Sequence, residues 1–263
     1  MMVRKFASCL IALVMAAGFV SVSSCSHADF NRIPKTSGFF QHLEKSKYES
    51  TPMVAYWDDM DDAEWDARVH GTNGKSQTII LKPVTLDYFT PRPKDAALAT
   101  RIENMRDYFD KELQKEFQRL DKDPNNNLHL TTKPGRGVYT LEVAMLSVKS
   151  TNVAKNVAMQ VPGFFIKGGS AAASLVLGQK DDTGYISFGA RLIDDRGKVI
   201  CETGDFEYGM QSVIGRIGFD SKDYRPYAYQ KQTIDFWVEE IGQLMTTDSK
   251  TPVSKPKVSF NPF

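Results

Sequence analysis

Residues 185–208 read YISFGARLIDDRGKVICETGDFEY, and this stretch decides the fold class. In its first half, every second position is apolar, which is the pattern of a strand with one buried face: Ile186, Phe188, Ala190 and Leu192. The next four residues, Asp194-Asp195-Arg196-Gly197, are turn formers, and a second β-rich run returns from Lys198 to Tyr208. The stretch therefore predicts an antiparallel hairpin.

Further strands and two helices are predicted around this hairpin. Residues 78–86 and 138–148 are β-rich, and Pro83 favours an edge or terminal position for the first of these strands. A helix of about six turns is predicted between an N-cap at Asp95 and a stop at Asp123-Pro124, from apolar residues at spacings of three and four: Leu98, Ile102, Met105, Phe109, Leu113, Phe117 and Leu120. A closing helix is predicted from a second apolar stripe: Ile234, Trp237, Val238, Ile241, Leu244 and Met245. This order predicts an α+β fold, namely a single domain over residues 38–245 with a mostly antiparallel sheet and two main helices on one face.

The N-terminus predicts export from the cytoplasm. Arg4 and Lys5 precede an apolar run from Leu10 to Val22, which is shorter than the roughly 20 residues that a transmembrane helix needs and suits a signal peptide. The following Val22-Ser23-Ser24-Cys25 resembles the bacterial lipobox. That resemblance implies that residues 1–24 are a lipoprotein signal peptide. It also implies that Cys25 is the first mature residue, bearing diacylglycerol on its thiol and an acyl chain such as palmitate on its amino group. The alternative is a plain secretory signal that contains a cysteine.

The residues after Cys25 bear on location. Ser26, rather than Asp, follows the cysteine, which resembles the default for sorting to the outer membrane of Gram-negative bacteria. We therefore expect a lipid-anchored protein of the bacterial outer membrane that faces the periplasm. Residues 25–37 are predicted to be a lipidated tether and residues 246–263 a flexible tail, because both are polar and lack a periodic apolar pattern.

Composition and charge narrow the function classes. With 41% hydrophobic residues the chain can form an ordinary core. Loss of residues 1–24 removes two of 33 basic residues and none of 32 acidic ones, so the mature charge is close to neutral and no nucleic-acid partner is expected. Cys9 leaves with the signal, and Cys25 is the predicted lipid site. Cys201 then has no disulfide partner in the chain, and we expect a small buried core residue rather than a nucleophile.

Residues 69–76, VHGTNGKS, partly resemble a nucleotide-binding loop. Such a loop needs a glycine five positions before Gly74, where this chain has Val69, and it needs a helix after the loop, where this chain has a predicted strand. The stretch is therefore interpreted as a turn, and no nucleotide is expected.

No pattern nominates a metal, a cofactor or a catalytic group. The acidic run at residues 58–66 lacks the carboxylate register of a calcium loop, so it is interpreted as a solvated segment held by Trp57 and Trp65. The mature histidines are not at metal-ligand spacings, and the chain has no G-x-S-x-G. We therefore predict no catalytic residue, no metal and no cofactor.

Residues 161–178, VPGFFIKGGSAAASLVLG, are unusually rich in small residues. Pro162, the glycines and Lys167 oppose a membrane span. Close packing on the sheet is one interpretation, bilayer insertion is a minor one, and an exposed surface for a protein partner is another. In the partner interpretation, the candidate docking residues are Phe164, Phe165, Gly168 and Gly169.

Several short motifs resemble those of a bacterial lipoprotein family known as domain of unknown function 3313. They are Ser37-Gly38-Phe39-Phe40, Lys82-Pro83-Val84 within a strand from Ile80 to Val84, the hairpin from Ala190 to Tyr208, and Asp235-Phe236-Trp237 in the closing helix. The resemblance implies no assigned activity and no catalytic residues. The order of elements looks like that of small α+β domains of periplasmic lipoproteins that bind proteins of the cell envelope, a similarity at the level of the fold only.

Together these patterns predict a non-enzymatic accessory or partner-binding lipoprotein of the cell envelope. Its expected partners are a membrane, through the lipid on Cys25, and another envelope protein. The alternative is an envelope-acting hydrolase or a carrier of small ligands, which a cleft with converging titratable groups would favour.

Overall fold

The computed structural model describes residues 30–45, 53–69, 77–149, 185–208 and 228–248, together with Val253. The strands in these ranges are β1 (Ala55–Asp58), β2 (Gln77–Leu81), β3 (Leu128–Leu130), β4 (Val138–Lys149), β5 (Tyr185–Ile193) and β6 (Val199–Tyr208). The helices are α1 (Asp62–Arg68), α2 (Ala96–Lys122) and α3 (Ala228–Thr246). Within the described ranges, the strands form one sheet in the order β1-β6-β5-β4-β2-β3.

The predicted hairpin is confirmed. Strands β5 and β6 pair antiparallel from Tyr185 opposite Tyr208 to Ile193 opposite Val199. In the turn, the Asp194 carboxylate accepts the backbone N–H groups of Arg196 and Lys198, at 2.9 Å each. Gly197 has a φ of 83°, a left-handed conformation that glycine adopts without steric cost. The alternating apolar residues of β5 all lie in the main core, as predicted: Ile186, Phe188, Ala190 and Leu192.

The sheet is antiparallel on one side of β4 and parallel on the other. Strand β1 pairs with β6, β6 with β5, and β5 with β4, all antiparallel, whereas β2 pairs in parallel with both β3 and β4. The parallel part follows from α2, because parallel neighbours need a long crossover connection. The mostly antiparallel sheet is thus confirmed. Pro83 predicted an edge or terminal position. The edge alternative is wrong, since β2 lies between two strands, whereas Pro83 does lie past the end of its strand, which stops at Leu81.

Both long helices cover the same face of the sheet, as predicted. Helix α2 begins after Asp95, whose carboxylate accepts the backbone N–H of Leu98 at 2.7 Å. It has 27 residues, or about 7.5 turns, slightly more than its apolar stripe alone predicted. Helix α3 lies against it, and a Cβ at Gly242 would come within 3.3 Å of Glu116 and Leu120, so glycine permits this close approach.

The main core lies between these helices and the sheet. Phe188 of β5 lies 4.5 Å from Trp237 of α3 and 6.0 Å from Phe109 of α2, between ring centroids. All three side chains are buried. The Trp237 indole N–H donates to the Asp205 carboxylate of β6 at 2.8 Å, so this buried carboxylate has a partner within the core.

The opposite face of the sheet is covered by residues 30–44, which we call the strap. It begins with two 3-10 turns, Phe30–Arg32 and Lys35–Ser37. Ile33 is 3% exposed and Phe39 is fully buried, in a second apolar cluster with residues of β1, β4 and β6. The tether predicted over residues 25–37 is described only from Phe30 onwards. That part packs on the domain, because single apolar residues such as Ile33 fill gaps on the sheet. These residues form no periodic pattern, so the sequence did not indicate the packing.

The acidic run is solvated as expected, with Asp59, Asp61 and Asp62 exposed, but it also contains regular secondary structure that was not predicted. Its first residue, Asp58, ends β1, and residues from Asp62 onwards belong to α1, which begins where the Asp61 carboxylate accepts the backbone N–H of Glu64 at 2.8 Å. Trp65 is 6% exposed and belongs to the main core. Burial of Trp65 therefore holds the segment as expected, and the pairing of β1 with β6 orders its start.

Candidate functional site

The strap is seated on a part of the sheet that lacks side chains. A Cβ at Gly189 of β5 would lie 2.5 Å from the Phe40 ring and 2.8 Å from the Phe39 ring. At Gly204 of β6 it would lie 3.1 Å from the Phe40 ring. The two rings stack edge to face, with 5.1 Å between their centroids. The strap therefore depends on two neighbouring glycines of the hairpin.

A buried carboxylate holds the C-terminal end of the strap. Glu202 of β6 is fully buried, and its two oxygens accept the backbone N–H groups of Gln41 and His42, at 2.8 Å each. Hydrogen bonds to an ionised carboxylate are stronger than those between neutral groups. The His42 ring also stacks on Trp57 of β1, with 4.3 Å between centroids. These contacts fix the path of the strap across the hairpin.

An arginine holds the middle of the strap. The Arg191 guanidinium of β5 pairs with Glu142 of β4, with 2.8 Å between Nη2 and Oε2, and donates to the backbone carbonyl of Phe39 at 2.9 Å. It also lies 4.7 Å from the centroid of the Phe39 ring, in cation–π geometry. Arg191 and Glu202 lie on opposite strands of the β5–β6 hairpin. This hairpin, from which the fold class was predicted, therefore also holds the strap.

A polar cleft of about 560 Å³ opens beside the hairpin turn. Its charged lining is of mixed sign: Asp59, Glu64, Asp194, Asp195, Arg136, Arg196 and Lys198. Several of these groups already serve the fold: Asp194 caps the turn, Asp195 accepts the backbone N–H of Gly137 at 2.7 Å, and Lys198 pairs with Asp59. The cleft therefore suits a polar ligand better than an apolar one.

The most strongly perturbed titratable groups lie inside the core. Burial raises the pKa of the Cys201 thiol well above its usual range; a hydrogen bond with Tyr56 lowers it in part, and the charges of Asp58 and Glu202 raise it. Burial also raises the pKa of the Tyr56 phenol, with Cys201 and Asp58 adding to the effect. Cys201 is 4% exposed and belongs to the main core, as predicted for a small core residue. A thiol with a raised pKa is a poor nucleophile.

An exposed hydrogen bond joins the two long helices. The Tyr108 hydroxyl of α2 donates to the Asp235 carboxylate of α3 at 2.7 Å. Burial raises the pKa of Asp235, whereas the bond from Tyr108 lowers it. Because this pair lies at the surface of the helix layer, away from the cleft, it links the helices rather than forming part of the cleft.

The candidate site residues lie outside the described ranges. This applies to Cys25, to Phe164, Phe165, Gly168 and Gly169, and to the turn-like residues 70–76. No group of three or more His, Cys, Asp and Glu side chains within the described ranges is arranged to hold a metal ion. In the same ranges, no helix combines the length and apolarity needed to cross a bilayer. The strap contacts and the cleft were not predicted from the sequence. The local sequence signal for the strap contacts is a pair of glycines in the hairpin, Gly189 and Gly204, each two residues from a charged residue.

The motifs that carry the family resemblance have structural roles. Phe39 and Phe40 seat the strap, the backbone N–H of Val84 donates to Asp110 of α2 at 2.8 Å, and Trp237 donates to Asp205. They therefore hold the strap, the β2–α2 connection and α3 in place around the sheet.

A comparison with known protein families agrees with this resemblance. The family described as Protein of unknown function (DUF3313) matches residues 41–214. No curated protein is similar to the chain in sequence. Among solved structures, the chain is similar to a PelC dodecamer from Paraburkholderia phytofirmans at 9% identity, over 52% of this chain and 74% of that one, with a TM-score of 0.27. A variant PelC dodecamer from the same organism gives 10% identity, over 65% and 90% of the two chains, with a TM-score of 0.28.

Both TM-scores are too low for these similarities to bear on the function of this chain. The family match is different in extent, since it covers more than half of the chain, from within the strap to beyond β6. The protein therefore belongs to the family of proteins of unknown function DUF3313.

Proposed function

We propose that the protein is a lipoprotein of the bacterial outer membrane, anchored by lipid on Cys25, that presents its α+β domain to the periplasm and binds another envelope protein. One observation carries the lipid anchor in this proposal: the lipobox-like Val22-Ser23-Ser24-Cys25 stands at the end of a signal-like apolar run. Several acyl chains on one residue hold a protein durably, because each buried methylene contributes about 0.8 kcal/mol.

A non-enzymatic role is supported by where the reactive groups lie. Cys201 and Tyr56 are buried in the core beneath the helices, where a substrate does not reach them. The charged side chains Glu202 and Arg191 are engaged in holding the strap. These groups are therefore accounted for by the fold.

The alternative is a carrier of small ligands or an envelope-acting hydrolase, and the polar cleft favours it. Its seven charged side chains converge beside the hairpin turn. The replacement Arg136→Ala together with Arg196→Ala tests it, because these two cations hold no structural hydrogen bond within the described ranges. Loss of a bound polar metabolite from the double variant, with partner crosslinking unchanged, would favour the carrier over the partner-binding protein.

The anchor is tested by Cys25→Ser. We expect this variant to incorporate no radiolabelled palmitate and to keep its signal peptide, because the thiol is the only attachment point for the glyceryl group. Cys9→Ser is the matched control and is expected to label normally. Label that persists on Cys25→Ser would refute the lipoprotein proposal.

The partner surface is proposed at residues 161–178, with Phe164, Phe165, Gly168 and Gly169 as contact residues. Crosslinking in intact envelopes, followed by pull-down, is the direct test. Ala172→Trp is expected to leave the domain folded and to lose a crosslinked partner. If Ala172→Trp instead unfolds the domain, the segment packs internally and the docking proposal for it is wrong.

A further inference from the structure

The strap limits how far the domain can move from its anchor. Phe30 packs against the second apolar cluster, and Ile33, Phe39 and Glu202 fix the segment that follows. Only five Cα-to-Cα steps separate Cys25 from Phe30. A fully extended chain spans at most about 3.6 Å per residue, so Phe30 stays within about 18 Å of the residue that carries the lipid.

This reach is short compared with the domain. Helix α2 alone has 27 residues and is therefore about 40 Å long, and it lies on the far side of the sheet from the strap. An anchor that enters on the strap side at such short range holds that side towards the bilayer and the helix layer away from it.

The charge of the strap suits that position. Its first turns expose two cations, Arg32 and Lys35, on either side of the buried Ile33. The Lys35 ammonium lies 3.5 Å from the centroid of the Phe30 ring. A cation and an aromatic ring therefore lie together at the N-terminal end of the strap, the end nearest Cys25. The acidic residue of the strap, Glu44, is at its opposite end. Cations near a bilayer surface are attracted to anionic headgroups.

We infer that the strap side of the domain, led by Arg32 and Lys35, lies against the anionic phospholipid surface that holds Cys25, with α2 and α3 facing away from the membrane. This orientation rests on the proposed lipidation of Cys25. A basic and aromatic strap close to the anchor thus acts as a second, electrostatic contact with the bilayer.

The experiment uses the full lipidated protein in vesicles of phosphatidylethanolamine and phosphatidylglycerol. A fluorophore is attached at Thr36→Cys on the strap or, as the matched control, at Lys111→Cys on the exposed face of α2. Cys201 is buried, so it stays unlabelled in the folded protein. With spin-labelled headgroups in the bilayer, we expect most of the fluorescence at position 36 to be lost and little at position 111. Equal quenching at both positions, or stronger quenching at 111, would overturn the inference.

A charge reversal tests the electrostatic part. Lys35→Glu is expected to weaken quenching at position 36, as is replacement of phosphatidylglycerol by phosphatidylcholine, whereas Lys111→Glu is expected to have no effect. If Lys35→Glu leaves the quenching unchanged, the cations do not orient the domain. Flotation of the same vesicles reports the anchor separately: protein that floats without strap quenching contradicts the orientation alone, and protein that fails to float contradicts lipid anchoring and the orientation with it.

Discussion

The two faces of the sheet are covered in different ways. The helix face is buried under two long helices whose apolar residues recur every three or four positions, and its contacts are largely apolar. The strap face is buried under fifteen irregular residues, held by two glycines and two charged side chains. The helices are held by the large apolar area that they bury and by close packing, whereas the strap is held by a few specific contacts. The helix face should therefore control global stability, and the strap face should open locally.

The largest expected effect is on the helix face. Phe109→Ala removes a fully buried ring that contacts Phe188 and Trp237, and we expect a loss of about 3–5 kcal/mol in the free energy of unfolding. Urea denaturation measures it, and labelling of Cys201 by a thiol reagent, slow in the native protein, should accelerate in parallel. A loss below about 1 kcal/mol would mean that the helix layer is not the main core.

The next effect is expected from the charged contact of the strap. Glu202→Ala leaves the backbone N–H groups of Gln41 and His42 without their acceptor, which should cost about 2–3 kcal/mol. We expect the loss to appear as local opening, with faster tryptic cleavage after Arg32 and Lys35 and unchanged protection of Cys201. Glu103→Ala, on the exposed face of α2, is the control. If Cys201 is exposed together with the strap, the two faces unfold as one unit and the comparison fails.

The seat of the strap is tested by Gly189→Ala. The new Cβ would lie 2.5 Å from the Phe40 ring, so this ring must move, at a cost of about 1–3 kcal/mol. A double-mutant cycle with Phe40→Ala isolates the contact, and we expect the double variant to lose less than the sum of the single variants. Additive losses would show that the ring does not rest on Gly189.

The smallest expected effect is at the start of α2. Asp95→Ala removes the acceptor of the Leu98 N–H and should cost about 1 kcal/mol, whereas Asp95→Asn should cost almost nothing. Because α2 is part of the main core, this modest loss should appear in the global denaturation curve and leave tryptic cleavage of the strap unchanged. A selective effect of Asp95→Ala on strap cleavage would contradict the separation of the two faces.

The elements that could be predicted are those with a periodic pattern or a run of β-forming residues. Strand β5 was placed from alternation and both long helices from the spacing of three and four, whereas β2, β4 and β6 were placed from β-rich composition; Asp95 was identified as a cap. Strands β1 and β3 were missed because four and three residues are too few for a pattern, and β1 exists through its pairing with β6, with Tyr56 opposite Thr203. The parallel pairing of β2 was also missed, because register between distant strands leaves no local trace.

The sequence by itself determined the hairpin, the helix face of the core and the predicted export and lipid signals at Cys25, because each is encoded in residues that are neighbours along the chain. Only the tertiary structure decided the strap, since Phe40 meets Gly189 and Gly204, and Gln41 meets Glu202, across about 150 residues of sequence or more. These contacts depend on the close packing of Phe40 on two glycines and on the buried charge of Glu202, and neither leaves a repeated pattern in the sequence. They become visible only when the sheet has brought those residues together.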